Sequence, residues 1–204
     1  MVALAGCSPA EGATPSPTPS VPKPSPSEPA PSPSPSPAPE GTFITPAGLG
    51  TLRVGHPAAE SELVKYVPDY CLQIMGESFA WDPARWIPVD EGYDFSTYVD
   101  TQGIVQIIDV RTSKFTTPEG FAVGQRVGVD IRDKHPRLKL GVGAIESTME
   151  YVSTPDGNLG FELGTSPDLE SYNAADVVLN IQITAPGVEP YGWNSSDAIA
   201  GGCV

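Results

Sequence analysis

Residues able to do chemistry are few in this 204-residue chain, and their spacing narrows what they can do. There are two histidines, His56 and His135. A Ser-His-Asp hydrolase needs a histidine bonded to its nucleophile, and Ser195 and Ser196 are the serines one would put forward. No Gly-x-Ser-x-Gly elbow accompanies them, and both histidines fall at predicted helix ends, where capping or surface roles are usual. Two acidic groups, Asp90, Glu91 and Asp94, then Asp168, Glu170 and Asp176, could clasp calcium. Neither has the Asp-x-Asx-x-Asx-Gly spacing of a calcium loop, so solvated loop charges are expected. Gly48-Leu49-Gly50 and Gly141-Val142-Gly143 are too short to cradle a dinucleotide. Asn194-Ser195-Ser196 is a formal glycosylation sequon. No catalytic residue, cofactor or metal site is expected.

The aromatics point elsewhere. Phe79, Trp81, Trp86, Tyr93, Phe95 and Tyr98 cluster within about twenty residues, and Tyr191 and Trp193 stand near the C-terminus. Trp and Tyr projecting from an open sheet face make a protein-binding patch; turned inward they fill the core. Phe79, Phe95 and Phe161 are expected in the core, and Trp86, Tyr93 and Trp193 are the candidate partner-binding residues.

The N-terminus says where such a patch would be shown. Leu4-Ala5-Gly6-Cys7 resembles the bacterial lipobox, which implies cleavage before Cys7 and its lipidation, and so attachment to the outer face of the cytoplasmic membrane. Six residues precede Cys7, with neither Lys nor Arg among them, and a signal peptide needs a basic start and an apolar stretch. An in-frame coding extension upstream of Met1 is therefore expected. From Ser8 to Gly41 the chain is almost pure Pro, Ser, Ala and Thr. Apart from Val21 this stretch holds no bulky apolar residue, so burial cannot offset the entropy of ordering. Proline spacing of this kind predicts a disordered, semi-rigid polyproline-II spacer reaching on the order of 100 Å at ~3.1 Å per residue. Pro-Ser-Pro repeats are also ligands for aromatic-lined grooves, but a tether is the simpler reading.

Residues 42–204 form the expected domain. Glu11, Lys23, Glu28 and Glu40 give the spacer −2 of the chain's −14, leaving −12 for the domain. That charge argues against nucleic acid and anionic lipid as partners. No apolar run after Cys7 approaches a membrane span. With Cys7 assigned to lipid, Cys71 and Cys203 remain. In an oxidising compartment such a pair forms a disulfide; two buried free thiols are the alternative.

The elements that position these residues read as a tandem repeat. Thr45-Pro46-Ala47-Gly48 and Leu52-Arg53-Val54-Gly55 precede a helical pattern ending at Pro68, with Pro57 at its first position and Ala59, Leu63 and Val67 along one stripe. Thr117-Pro118-Glu119-Gly120 and Phe121-Ala122-Val123-Gly124 precede a second, ending at Pro136, with Val127 and Ile131 four apart. Strands are expected after each helix: Phe79–Trp81, Trp86–Val89, Asp94–Val99 and Ile104–Val110 in the first unit, Ile145–Val152, Leu159–Leu163 and Val177–Ile183 in the second. Val177, Leu179, Ile181 and Ile183 should face one way. The expected fold is thus α+β, with two units (about 45–112 and 117–185), each a short helix packed on antiparallel strands.

These short motifs resemble lipoproteins of actinobacteria whose tandem helix-plus-sheet units are similar to β-lactamase-inhibitory-protein-like and outer-membrane-lipoprotein-A-like domains. The resemblance implies a non-enzymatic, surface-displayed module that binds or inhibits an envelope or extracellular protein, with an assembly or structural lipoprotein as the alternative. A hydrolase with an unrecognised site is the third class.

Overall fold

The computed structural model describes residues 42–75, 84–192 and Cys203. The Pro/Ser stretch and Cys7 lie outside the described residues, as do Phe79, Trp81, Trp193, Ser195 and Ser196.

Runs rich in β-branched and aromatic residues form the strands. A small meander comes first: β1 (Ile44–Thr45), β2 (Gly48–Leu49) and β3 (Leu52–Arg53), paired antiparallel in that order. Its Ile44, Leu49 and Leu52 are fully buried. A two-stranded ribbon follows, β4 (Val64–Val67) against β5 (Arg85–Pro88). The largest element is an antiparallel six-stranded sheet built from β6 (Phe95–Val99), β7 (Val105–Val110), β8 (Lys139–Gly141), β9 (Ser147–Thr154), β10 (Gly157–Gly164) and β11 (Val178–Thr184). Its order is β6-β7-β11-β10-β9-β8. Two short helices complete the described elements, α1 (Tyr70–Met75) and α2 (Gly128–Lys134).

The expectation of two helix-plus-sheet units is overturned, because antiparallel strands dominate and the first helix does not form. After Gly55 the chain makes a single 3₁₀ turn at Ala58–Glu60 and then extends into β4. The stripe Ala59, Leu63, Val67 suits a helix, but Val64, Tyr66 and Val67 are stiff or bulky at χ1 and prefer a pleated partner. That partner is Arg85–Pro88, with Val64 opposite Pro88 and Tyr66 opposite Trp86. The second helix does form, as α2. Arg132 holds it: its guanidinium grips Glu150 at 2.7–3.0 Å and Asp176 at 2.7 Å.

What the two segments share is a turn. Gly55 N–H donates to Val105 O and Val105 N–H returns to His56 O, at 2.8 and 3.0 Å. Gly124 N–H donates to Val178 O and Val178 N–H returns to Gln125 O, both at 2.8 Å. Each clip fastens its turn to the first residue of a central strand, or to the residue that opens it. Both glycines have left-handed φ, +75° and +85°. Neither position is crowded, so the penalty for a side chain there is conformational. Gly124→Val should therefore destabilise by about 1–3 kcal/mol, and Gly124→Asn by much less, since Asn tolerates this region. Urea midpoints for the two variants that coincide would remove that account.

Packing follows from register. On one face of the large sheet Leu159 lies opposite Ile183, Phe161 opposite Ile181, and Ile181 and Ile183 opposite Val110 and Ile108. These side chains, with Phe95, Phe115 and Leu163, are the core. The expected single phase of β11 breaks at a bulge: Leu163 pairs with Val178 but Glu162 with Asn180, leaving Leu179 out of the pairing. Hence Val178 joins the core cluster in place of Val177.

Candidate functional site

The Trp86 region forms an open groove lined by described residues. Tyr66 and Trp86 are directly opposed on β4 and β5, and their rings meet at 5.4 Å with a 53° tilt. With Val99, Asp100, Thr101 and Gly103 they line an open groove of about 600 Å³. Trp86 rests its inner edge on the core and is only half-buried, whereas Tyr66 is 55% exposed. The ribbon is held to the sheet by Thr97, whose buried hydroxyl donates to Trp86 O at 3.0 Å. Asp100 shapes the far wall. Its carboxylate accepts Ile104 N–H at 3.0 Å, Gln102 N–H at 2.9 Å and Gln106 Nε2 at 2.8 Å. Chiefly through the Ile104 N–H, these bonds hold its pKa below the ordinary carboxylate value.

Tyr93 does not line this groove. Its ring packs edge-on against fully buried Phe115 at 5.0 Å, with Lys114 Nζ 5.6 Å from its centroid. Burial raises its phenol pKa, helped by Asp90. Trp193 lies outside the described residues. Tyr66, which sequence reasoning missed, is the aromatic that completes the groove. It was hidden inside the expected first helix.

A second candidate is the opposite face of the large sheet, where Asp109, Asn158, Glu162, Asn180, Gln182 and Thr184 are all buried. Residues 185–192 cross this face and are bonded to it. Gln182 accepts Tyr191 N–H at 2.9 Å and donates to Tyr191 O at 3.2 Å and to Asp109 Oδ1 at 2.8 Å. Asn158 Nδ2 donates to Val188 O at 2.8 Å and to Thr184 Oγ1 at 3.0 Å, and Thr184 Oγ1 donates to Val188 O. Ser147 Oγ donates to Glu162 Oε1 at 2.7 Å. Asn180 Nδ2 donates to Asp109 at 3.3 Å, while its Oδ1 has no hydrogen-bond partner among the described residues. Most of this chemistry is structural: the amides fasten the last described segment to the sheet.

Burial there pushes the Tyr191 hydroxyl up to about 12, with Asp109 and Tyr98 adding to the effect. In the unfolded chain the same hydroxyl ionises near pH 10. Its contribution to stability is complete below about pH 10 and is lost as pH rises towards 12, because only the unfolded state releases the proton in that window. Tyr191→Phe should flatten the fall in urea midpoint across that range; an unchanged slope would contradict the assignment.

The remaining candidates are dispersed. His135 caps α2, stacked on Phe161 at 6.2 Å and 28° and edge-on to Phe121 at 6.4 Å. Its buried Nε2 has no hydrogen-bond partner among the described residues. His56 is exposed in the first clip. Asp90 Oδ1 and Asp168 Oδ1 each accept a backbone N–H two residues on, and Asp94 and Asp176 pair with Arg111 and Arg132. Among the described residues no group of three or more His, Cys, Asp or Glu is placed to hold a metal. Cys71, on α1, is disulfide-bonded to Cys203. No described helix is long and apolar enough to cross a membrane.

No family model, curated protein or solved structure matches this chain.

Proposed function

We propose that this chain is a lipid-anchored protein of the outer face of the cell membrane, attached through Cys7, whose Pro/Ser stretch presents a disulfide-closed β-rich domain to an envelope or extracellular protein. Binding, not turnover, is the proposed activity. The observation that carries it is the cross-strand Tyr66–Trp86 pair, which keeps two large aromatics at the wall of an open groove. Exposed, positioned Trp and Tyr are the residues that dominate protein interfaces. The Cys71–Cys203 bond suits an oxidising compartment, in keeping with Leu4–Cys7 as a lipidation signal. The polar residues that could have served catalysis, Gln182 and Asn158 above all, are engaged in holding residues 185–192.

The test is capture from detergent-solubilised envelope by the immobilised full chain. Tyr66→Ala and Trp86→Phe should weaken capture at least ~10-fold, in the range of hot-spot truncations. The melting temperature of Tyr66→Ala should stay nearly unchanged, since that ring is largely exposed. Equal capture by both folded variants would overturn the groove as the binding surface. Cys7→Ala should move the protein out of the membrane fraction.

A further inference from the structure

Resting on the reading of the Trp86 groove as a binding surface, we propose that its occupant is the proline-rich stretch of a second copy of this chain, residues 14–39, docked along the groove against the aromatic wall of Tyr66 and Trp86. The groove has the chemistry for it. The two rings touch each other at 5.4 Å, tilted by 53°, so they form one continuous aromatic wall on whose exposed faces a pyrrolidine ring can pack, and aromatic-lined grooves are the usual receptors of extended proline-rich chains. A polyproline-II chain has no internal hydrogen bonds, so its carbonyls are open to an indole N–H or a phenol. The groove, about 600 Å³, is wide enough for one ~9 Å turn of such a segment.

The sequence supplies the ligand. Thr14-Pro15-Ser16-Pro17-Thr18-Pro19 and Pro31-Ser32-Pro33-Ser34-Pro35-Ser36-Pro37 place proline at every second position, which favours this conformation before binding and lowers the entropy lost in docking. Charge favours a second copy's stretch over a second copy's domain. Two domains of net −12 repel each other, whereas residues 14–39 carry Lys23 and Glu28 alone and are neutral. A stretch reaching on the order of 100 Å can join two domains that their charge holds apart. Such a contact is heterologous, so it links copies in open chains and does not close pairs. Copies anchored in one membrane would meet at high effective concentration.

Sedimentation velocity on the full, unlipidated chain tests the proposal. The average mass should rise with concentration. A synthetic peptide of residues 14–39 in excess should return the chain to monomer. Tyr66→Ala, checked for folding by near-ultraviolet circular dichroism, should weaken association at least ~10-fold. A full chain with the prolines from 15 to 39 replaced by glycine should stay monomeric while its groove still takes up the peptide. A monomer at every concentration, association that the peptide does not reverse, or association untouched by Tyr66→Ala would each overturn the proposal. So would peptide-reversible quenching of tryptophan fluorescence that is independent of concentration, which would mean docking within one copy. If the peptide does not bind but Tyr66→Ala still loses capture of an envelope protein, the proline ligand is wrong and the binding surface stands.

Discussion

Replacing Cys71 and Cys203 together by serine should lower the unfolding free energy by about 5 kcal/mol. The bond closes a loop of 132 residues in sequence separation, and the cost of leaving so long a loop open in the unfolded chain is about that size in the chain-entropy treatment. For a domain of this length the midpoint of thermal unfolding should fall by roughly 10–20 °C. Reducing the native protein should reproduce the loss, and digestion without reductant should release a peptide joining Cys71 to Cys203. Loss of under about 1 kcal/mol would mean that the unfolded chain gains little freedom from the cut. Quantitative alkylation of both thiols without reductant would show the bond to be absent from the protein.

Gln182→Leu should cost about 3 kcal/mol, more than its size suggests. The side chain is fully buried and bonds both the N–H and the carbonyl of Tyr191 as well as Asp109. Leucine fills the volume but strands these buried groups, and each stranded group carries its own desolvation penalty of about 1–3 kcal/mol. Thr184→Val, which removes the bonds of one hydroxyl to Asn158 and Val188, should cost about 1 kcal/mol. Hydrogen exchange should separate the two effects. In Gln182→Leu the Tyr191 amide should lose protection ahead of the sheet; if Tyr191 stays as protected as Ile181, the side chain is not what holds the segment.

The strands were legible because their signals were local. Trp86–Val89, Asp94–Val99, Ile104–Val110, Leu159–Leu163 and Val177–Ile183 each overlap an observed strand closely, and Pro155-Asp156, residue types that favour turns, join β9 to β10. What misled was periodicity without context. Ala59, Leu63 and Val67 are four apart on a helix, yet the end of the segment, Val64–Val67, is a strand paired with Arg85–Pro88, and that partner lies some twenty residues away. Helix α1 gave no strong signal: at six residues it is too short for a recognisable stripe. The polar second face was hidden for another reason. Asn158, Glu162, Asn180, Gln182 and Thr184 lie on one face of their strands just as a solvated face would, and the crossing of residues 185–192 over that face, bonded to Asn158, Gln182 and Thr184, is a tertiary feature that strand pattern does not report. The groove was half legible. Trp86 could be singled out by type, but Tyr66 became its neighbour through a pairing that the helical pattern masked.

The strand order carries a consequence in time. Strand β11 lies between β7 and β10, and is the only described strand that joins β6 and β7 to the β8–β10 meander. It is also the last of the eleven to be made. A chain emerging N-terminus first, from a ribosome or through a membrane pore, therefore holds two separate sheet fragments with open edges until residue 184 is free. Contacts of such long sequence separation form slowly, and their closing late keeps the chain threadable for nearly the whole of its passage. The same delay exposes the unpaired edges of β7 and β10 to neighbouring chains, so aggregation during synthesis should respond most to substitutions that slow the arrival or pairing of β11.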